Sequence, residues 1–270
     1  MRNYRKVMWL VAPLMAAIAV FVSMKGQQQG DINSQKDKSL DELVAQLPIA
    51  DFNGQVPQDP EKRQRRQKRS DRYNLSGGAD SPPVLNENME PVLLNLPLSH
   101  QPEEPAIPSS TSDAIVLGSI TDRHAYTSTD KTNVYSAVTV KVDEVLKAEP
   151  RYPLSGGSTL EAERAGGAVR FPSGKILRRG FLGRNLPQQG QRYLLFLSYN
   201  EEGQSFTIIT GYEISNGRVT PLDGLPESKG GFAQFRSYES YRGVEESVFL
   251  RAVRAEINNQ NYSHNEKGLK

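Results

Sequence analysis

The residues able to do chemistry in this chain are few in kind. Cysteine is absent and histidine occurs three times, as His100, His124 and His264. Thiol nucleophiles, disulfides, Cys-ligated zinc and iron–sulfur clusters are therefore excluded together. His124 follows Asp122 and Arg123. An imidazole beside a carboxylate could act as a base, but no activated nucleophile accompanies it, so a surface or turn histidine is expected. Neither Gly-x-Ser-x-Gly nor His-Glu-x-x-His occurs. Gly174-Lys175 has the ending of a phosphate loop. Val169 stands where the loop's first glycine belongs, however, and Ile176 where a magnesium-holding Ser or Thr belongs. The carboxylate pairs Glu161/Glu163 and Asp143/Glu144 lack the dense Asp/Asn/Gly spacing of a calcium loop, and are expected to be solvated. No catalytic, cofactor-binding or metal-ligating residue can be assigned, and no cofactor is expected.

What remains is positive charge. Lys62, Arg63, Arg65, Arg66, Lys68 and Arg69 place six cations in eight residues. Such a run reads as a solvated, disordered tract that attracts acidic polymers or lipid heads in a salt-dependent way. No aromatic interleaves it, so it offers no stacking platform, and nucleic acid is not an expected partner. A second group, Lys175, Arg178, Arg179 and Arg184, stands near Phe171 and Phe181 and forms the candidate binding loop. The competing reading is a solvated, basic, mobile excursion.

The elements that must position these residues follow from where the apolar surface lies. Of the aromatics, sixteen fall within residues 112–270 and only two within 26–111, a stretch that holds ten of the seventeen prolines. So few large apolar groups cannot offset the entropy of ordering 86 residues, and 26–111 is expected to be a disordered Pro-rich linker. Within it, residues 40–47 carry a capped helical pattern, and 92–98 reads as a strand-like patch or partner motif. Residues 1–25 begin with Arg2, Arg5 and Lys6 and continue as an uncharged run over 7–24. As a helix that run spans roughly 27 Å, near the thickness of a bilayer core. It reads either as a retained membrane anchor or as a cleaved signal peptide, with Ala17-Ile18-Ala19 the candidate cleavage site. Either way the charge bias places the remainder outside the cytoplasm.

From residue 112 the period is that of strands. Residues 114–120, 134–142, 159–163, 168–171, 193–197, 206–214 and 218–220 read as strands, with Asn216-Gly217 as a type I′ turn. This predicts a mainly β domain over 112–226, a small OB-like barrel of six or seven strands. Residues 227–270 form a C-terminal segment with an amphipathic helix over about 243–257, its stripe running through Val244, Val248, Ala252 and Ala255 and broadened by Phe249, Val253 and Ile257.

The stretches 114–121, "YSAVTVKVDEVLK" from Tyr135, "ERAGGAVRFPSG" from Glu163 and "GQRYLLFL" from Gly190 resemble a family of uncharacterised bacterial exported β-domains. The order of a valine-rich strand ending in "VLK" and a later Gly-x-x-Tyr-Leu-Leu-Phe strand is also similar to netrin-like barrels and those of tissue inhibitors of metalloproteinases, which are of the OB type. Those inhibitors act through an N-terminal cysteine and disulfides. This chain has neither, so the resemblance does not carry inhibition over. The expected function is a binding or interaction module tethered in the bacterial envelope, with an envelope protein or polymer as partner. The rival expectations are an envelope hydrolase without a recognisable motif and a polyanion binder using residues 62–69.

Overall fold

The computed structural model describes residues 46–54, 57–75, 83–90, 92–94, 104–181, 183–224 and 236–267, all within one compact unit, Ser39–Lys270. The leader over 1–25 and all but the last two residues of the helix expected over 40–47 lie outside them. No helix among the described residues is long and apolar enough to cross a membrane.

Among the described residues, ten strands and three helices follow in chain order. They are β1 (Ile49–Asp51), α1 (Pro60–Asp71), β2 (Val92–Leu94), β3 (Ala114–Thr127), β4 (Val134–Ala148), β5 (Thr159–Ala165), β6 (Gly167–Arg170), β7 (Ile176–Phe181), β8 (Arg192–Asn200), β9 (Ser205–Ser215), β10 (Arg218–Pro221), α2 (Arg236–Glu239) and α3 (Glu246–Lys267). The fold is mainly β, in two sheets with a C-terminal helix.

The larger sheet runs β10-β9-β5-β4-β3-β8, and β8 also pairs with β9. The pairing β3–β4–β5–β9–β8 therefore returns to β3, antiparallel throughout except at the short parallel contact of β5 with β9. β3 and β4 are long enough to curl because their ladder shifts register three times, at Ile115/Val116, Leu117/Gly118 and Ile120/Asp122; such bulges bend a strand and raise its twist. Gly118 is required at the second of these: a Cβ there would sit 2.5 Å from the Lys141 carbonyl oxygen. The Asn216-Gly217 pair has φ of 52° and 71°, the left-handed pair a type I′ turn demands, and joins β9 to β10.

The alternation of side chains divides the core. Val116, Ile120, Val138, Val140, Leu160, Leu195 and Phe206 belong to one cluster; Ile115, Leu117, Leu194, Phe196, Tyr212 and Val219 face outward to meet α2 and α3. β8 is apolar on both sides because it contributes to both clusters. The helix buries Phe249, Leu250, Val253 and Ile257, whereas Val248 is 48% exposed, so the stripe is rotated from the one expected. The C-terminal helices share a cluster with β3, β8, β9 and β10.

The smaller sheet, β1-β6-β7-β2, corrects two expectations. First, the 26–111 stretch is not a featureless linker. It supplies two strands, β1 pairing in parallel with β6 and β2 in parallel with β7, as well as α1. Ala50 and Leu85 join Val169, Phe171 and Leu177 in a third apolar cluster. Burial of these few side chains, together with edge-strand hydrogen bonds, holds the segment in spite of its composition. Second, the candidate binding loop is largely strand β7, in which residues alternate between solvent and interior.

Candidate functional site

Strand alternation splits the four basic residues of the candidate loop. Lys175 and Arg178 are exposed. Arg179 is buried, and its Nε and Nη2 have no hydrogen-bond partner; burial lowers its pKa. Arg184 turns into an ion network: it pairs with Glu104, lies 3.5 Å from Asp223 and donates to the Ile209 carbonyl oxygen. Arg164 pairs with the same Asp223 at 2.6 Å. Asp223 also accepts from the Asn185 amide, and Tyr238 hydroxyl donates to Glu104. The four cations are thus not one surface, and two of them serve the fold. His124 and Asp122 do meet, Nε2 to Oδ2 at 2.8 Å, but both are exposed. Among the described residues no three His, Asp or Glu side chains gather as a metal site.

The structure instead orders the basic tract as helix α1. Asp59 caps it, its carboxylate accepting from the Glu61 and Lys62 amides, Pro60 opens it, and Lys68 and Arg69 close it in keeping with the helix dipole. No apolar stripe marks its inner face. That face is Arg66, Arg69, Ser70 and, just past the helix, Tyr73, at helical spacing. Arg66 lies over the Tyr126 ring at 4.6 Å, Tyr73 stacks on Tyr135 at 4.4 Å, and Ser70 and Tyr135 hydroxyls are 3.0 Å apart. Arg69 donates Nη1 to Glu161 at 2.6 Å and Nε to the Gly203 carbonyl oxygen at 2.9 Å, with Nε also 3.3 Å from Glu163. The burial of arginine stems beneath charged heads substitutes for an apolar stripe. Lys62, Arg63, Arg65 and Lys68 are exposed; Lys62 stands one turn before Arg66, Arg63 donates to the Pro57 and Gln58 carbonyl oxygens, and Arg65 lies 3.5 Å from Glu61.

Beneath α1 lies the least expected group in the molecule. Glu163, placed among solvated carboxylates by its sequence, has a side chain with no exposure at all. β5 alternation turns Leu160 and Ala162 into the core and Glu161 and Glu163 toward α1. The polar groups that favour the Glu163 charge are Arg69 Nε, at 3.3 Å, and the Ser205 hydroxyl, with no well-formed hydrogen bond to either oxygen, and the nearby Thr207 hydroxyl, Asn200 Nδ2 and Tyr73 hydroxyl have no hydrogen-bond partner. Burial pushes the Glu163 carboxyl up to about 7, with the Arg69 guanidinium opposing. Burial disfavours the Arg69 cation too, but Glu161 and Glu163 outweigh it and hold its pKa up. Tyr135 is pushed up to about 12, chiefly by burial.

A separate concavity of about 850 Å³ lies where the β9–β10 turn meets the start of α3. Arg218, Glu245, Glu246, Arg251 and Arg254 line it with both signs of charge, so it selects no ligand charge. Compared with protein-family models the chain matches none, and compared with curated proteins it likewise finds no match; the likenesses to exported β-domains and to netrin-like barrels gain no support from them.

Proposed function

We propose that the chain is a non-catalytic interaction module of the bacterial envelope, an OB-like barrel tethered outside the membrane, which engages an anionic envelope polymer through the outer face of α1. The strand ring β3-β4-β5-β9-β8, with β5 and β9 parallel, supports the barrel reading. The uncharged run over 7–24 behind a basic cap supports the tether. One observation carries the function: α1 is pinned along one face by Arg66, Arg69, Ser70 and the adjoining Tyr73, so that its backbone holds Lys62, Arg63, Arg65 and Lys68 exposed in one cationic array, in which, among the described residues, only Arg65 has a carboxylate, Glu61, beside it. Fixing the charges in advance removes much of the ordering entropy of binding. In OB-type barrels the ligand surface is commonly the sheet face that α1 here covers, so binding is assigned to the helix and not to the strands beneath. Retention of the full chain on dextran sulfate tests this. Four cations predict a slope of log affinity against log salt of roughly −3 to −4. Joint Lys62→Glu, Arg65→Glu and Lys68→Glu substitution abolishes retention, whereas Lys175→Glu with Arg178→Glu leaves it intact. Equal retention of the triple variant overturns the proposal.

A further inference from the structure

The contact between α1 and the sheet is anchored at its C-terminal end on a buried carboxylate that the fold satisfies only in part. An ionised carboxylate is an acceptor of several hydrogen bonds, yet the fully buried Glu163 has only the Arg69 guanidinium, at 3.3 Å, and the Ser205 hydroxyl to favour its charge, and no well-formed hydrogen bond reaches either oxygen. Its nearest cation, Arg69, already directs Nε to the Gly203 carbonyl oxygen and Nη1 to Glu161. A protonated carboxyl has no charge to desolvate and is the cheaper occupant of such a chamber. We infer that α1 is a proton-gated strap, docked while Glu163 is protonated and released as Glu163 ionises, and that release gives up the pinned cationic array. This regulation rests on the reading of α1 as the anion-binding surface.

The groups that face Glu163 fix the sign. α1 and its C-cap contribute Arg69 and Arg72, β5 contributes Glu161, β4 contributes Tyr135, and Tyr73 closes the chamber, while Arg164, next along β5, turns away to Asp223. From β9 come the hydroxyls of Ser205 and of Thr207, the register partner of Glu163. The two arginines of α1 favour the carboxylate, but burial outweighs them and the docked pKa is raised from 4.5 to about 7. Undocking admits water and returns the group toward its ordinary value. The docked state therefore binds the additional proton, and docking is strongest at low pH. It weakens by up to tenfold per pH unit between about 4.5 and 7 and levels off above, some 300-fold weaker at most.

The chain has no native cysteine, so spin labels on Gln64→Cys and Glu202→Cys report the separation of α1 from the β8–β9 hairpin without background. In the full chain in neutral detergent a single short distance is expected at pH 5, with a longer population growing around pH 7. Glu163→Gln, which keeps the shape and cannot ionise, holds the short distance at every pH, and dextran sulfate binding of the unsubstituted chain weakens from pH 6 to pH 8. Identical distance distributions at pH 5 and pH 8.5, or the same pH response in the Gln variant, overturn the strap. If Glu163→Gln fails to fold, a carbon-13 titration of the Glu163 carboxyl in the unsubstituted chain decides: a midpoint near 7 supports the strap and one near 4.5 overturns it. Loss of dextran sulfate retention at pH 5, where α1 is docked, fails the binding reading alone, since the distances do not depend on it.

Discussion

Arg179 is 3% exposed, with two of its three nitrogens lacking any acceptor. Contrast Arg164, buried as deeply but paired with Asp223 and bonded to the Asn185 and Ile209 carbonyl oxygens. Both guanidinium groups left water on folding; only Arg164 recovered its hydrogen bonds and a counter-charge. A buried charge without compensation opposes folding, so its replacement by an apolar side chain of similar length stabilises. Arg179→Met is accordingly expected to raise the unfolding free energy by about 1–3 kcal/mol, read as a higher urea midpoint at unchanged slope. A lower midpoint would mean that the guanidinium is satisfied in solution. The same comparison explains why four basic residues near one another in sequence do not make a binding surface: two are drawn into the interior, one into a charge network and one without partners.

Among the elements, β3 depends on a residue with no side chain. At Gly118 a Cβ would meet the Lys141 carbonyl oxygen at 2.5 Å and Val140 Cγ1 at 2.9 Å, and the first of these is backbone that cannot swing aside. Gly118→Ala is expected to destabilise by about 1–3 kcal/mol, visible as a lowered urea midpoint; wild-type stability would show that the bulge relaxes freely. Elements of this kind were legible in the sequence. β4 alternates as Val138, Val140 and Val142 on one face, β8 is apolar on both, and Asn216-Gly217 marks its own turn. Helix α1 was not, although its signals were present: Asp59 and Pro60 at the start, Glu61 in the first turn, Lys68 and Arg69 in the last. What hid it is that its buried face consists of arginine stems, a serine and a tyrosine, which no hydrophobic period detects. β7 was lost for a related reason, its alternation being carried by Arg178 and Arg179. β1 and β2 are three residues each and hold by pairing with β6 and β7, neighbours more than seventy residues away that local pattern cannot reveal. Glu163 belongs with these. Its burial is set by α1, about a hundred residues earlier, and a strand-face rule applied to β5 alone places it in solvent.

For the whole molecule, the consequence is where the folded unit begins. Composition alone sets the boundary at residue 112, and a chain starting there retains β3 to β10 and the C-terminal helices. It loses both edge strands of the smaller sheet, leaving β6–β7 as a two-stranded ribbon, which is marginal by itself in water. It also loses Ala50 and Leu85 from the cluster around Val169, Phe171 and Leu177, and strips Tyr73 from Tyr135 and Arg69 from Glu163. Residues 112–270 are therefore expected to keep the closed ring of strands but to lose ordered packing on the β6–β7 side, and residues 39–270, the whole compact unit, to unfold as one. Amide exchange on the two chains separates the outcomes. Fast exchange in 167–181 with protection retained in β3, β4, β8 and β9 fits this account, because those strands close on one another through β5, even though Tyr212 loses the Ala106 carbonyl oxygen and Lys147 that of Ser109. Equal protection of 167–181 in both chains would mean that β1, α1 and β2 decorate the fold without stabilising it. In that event a released α1 would leave the rest of the molecule unchanged, and the strap would act through its own charges only.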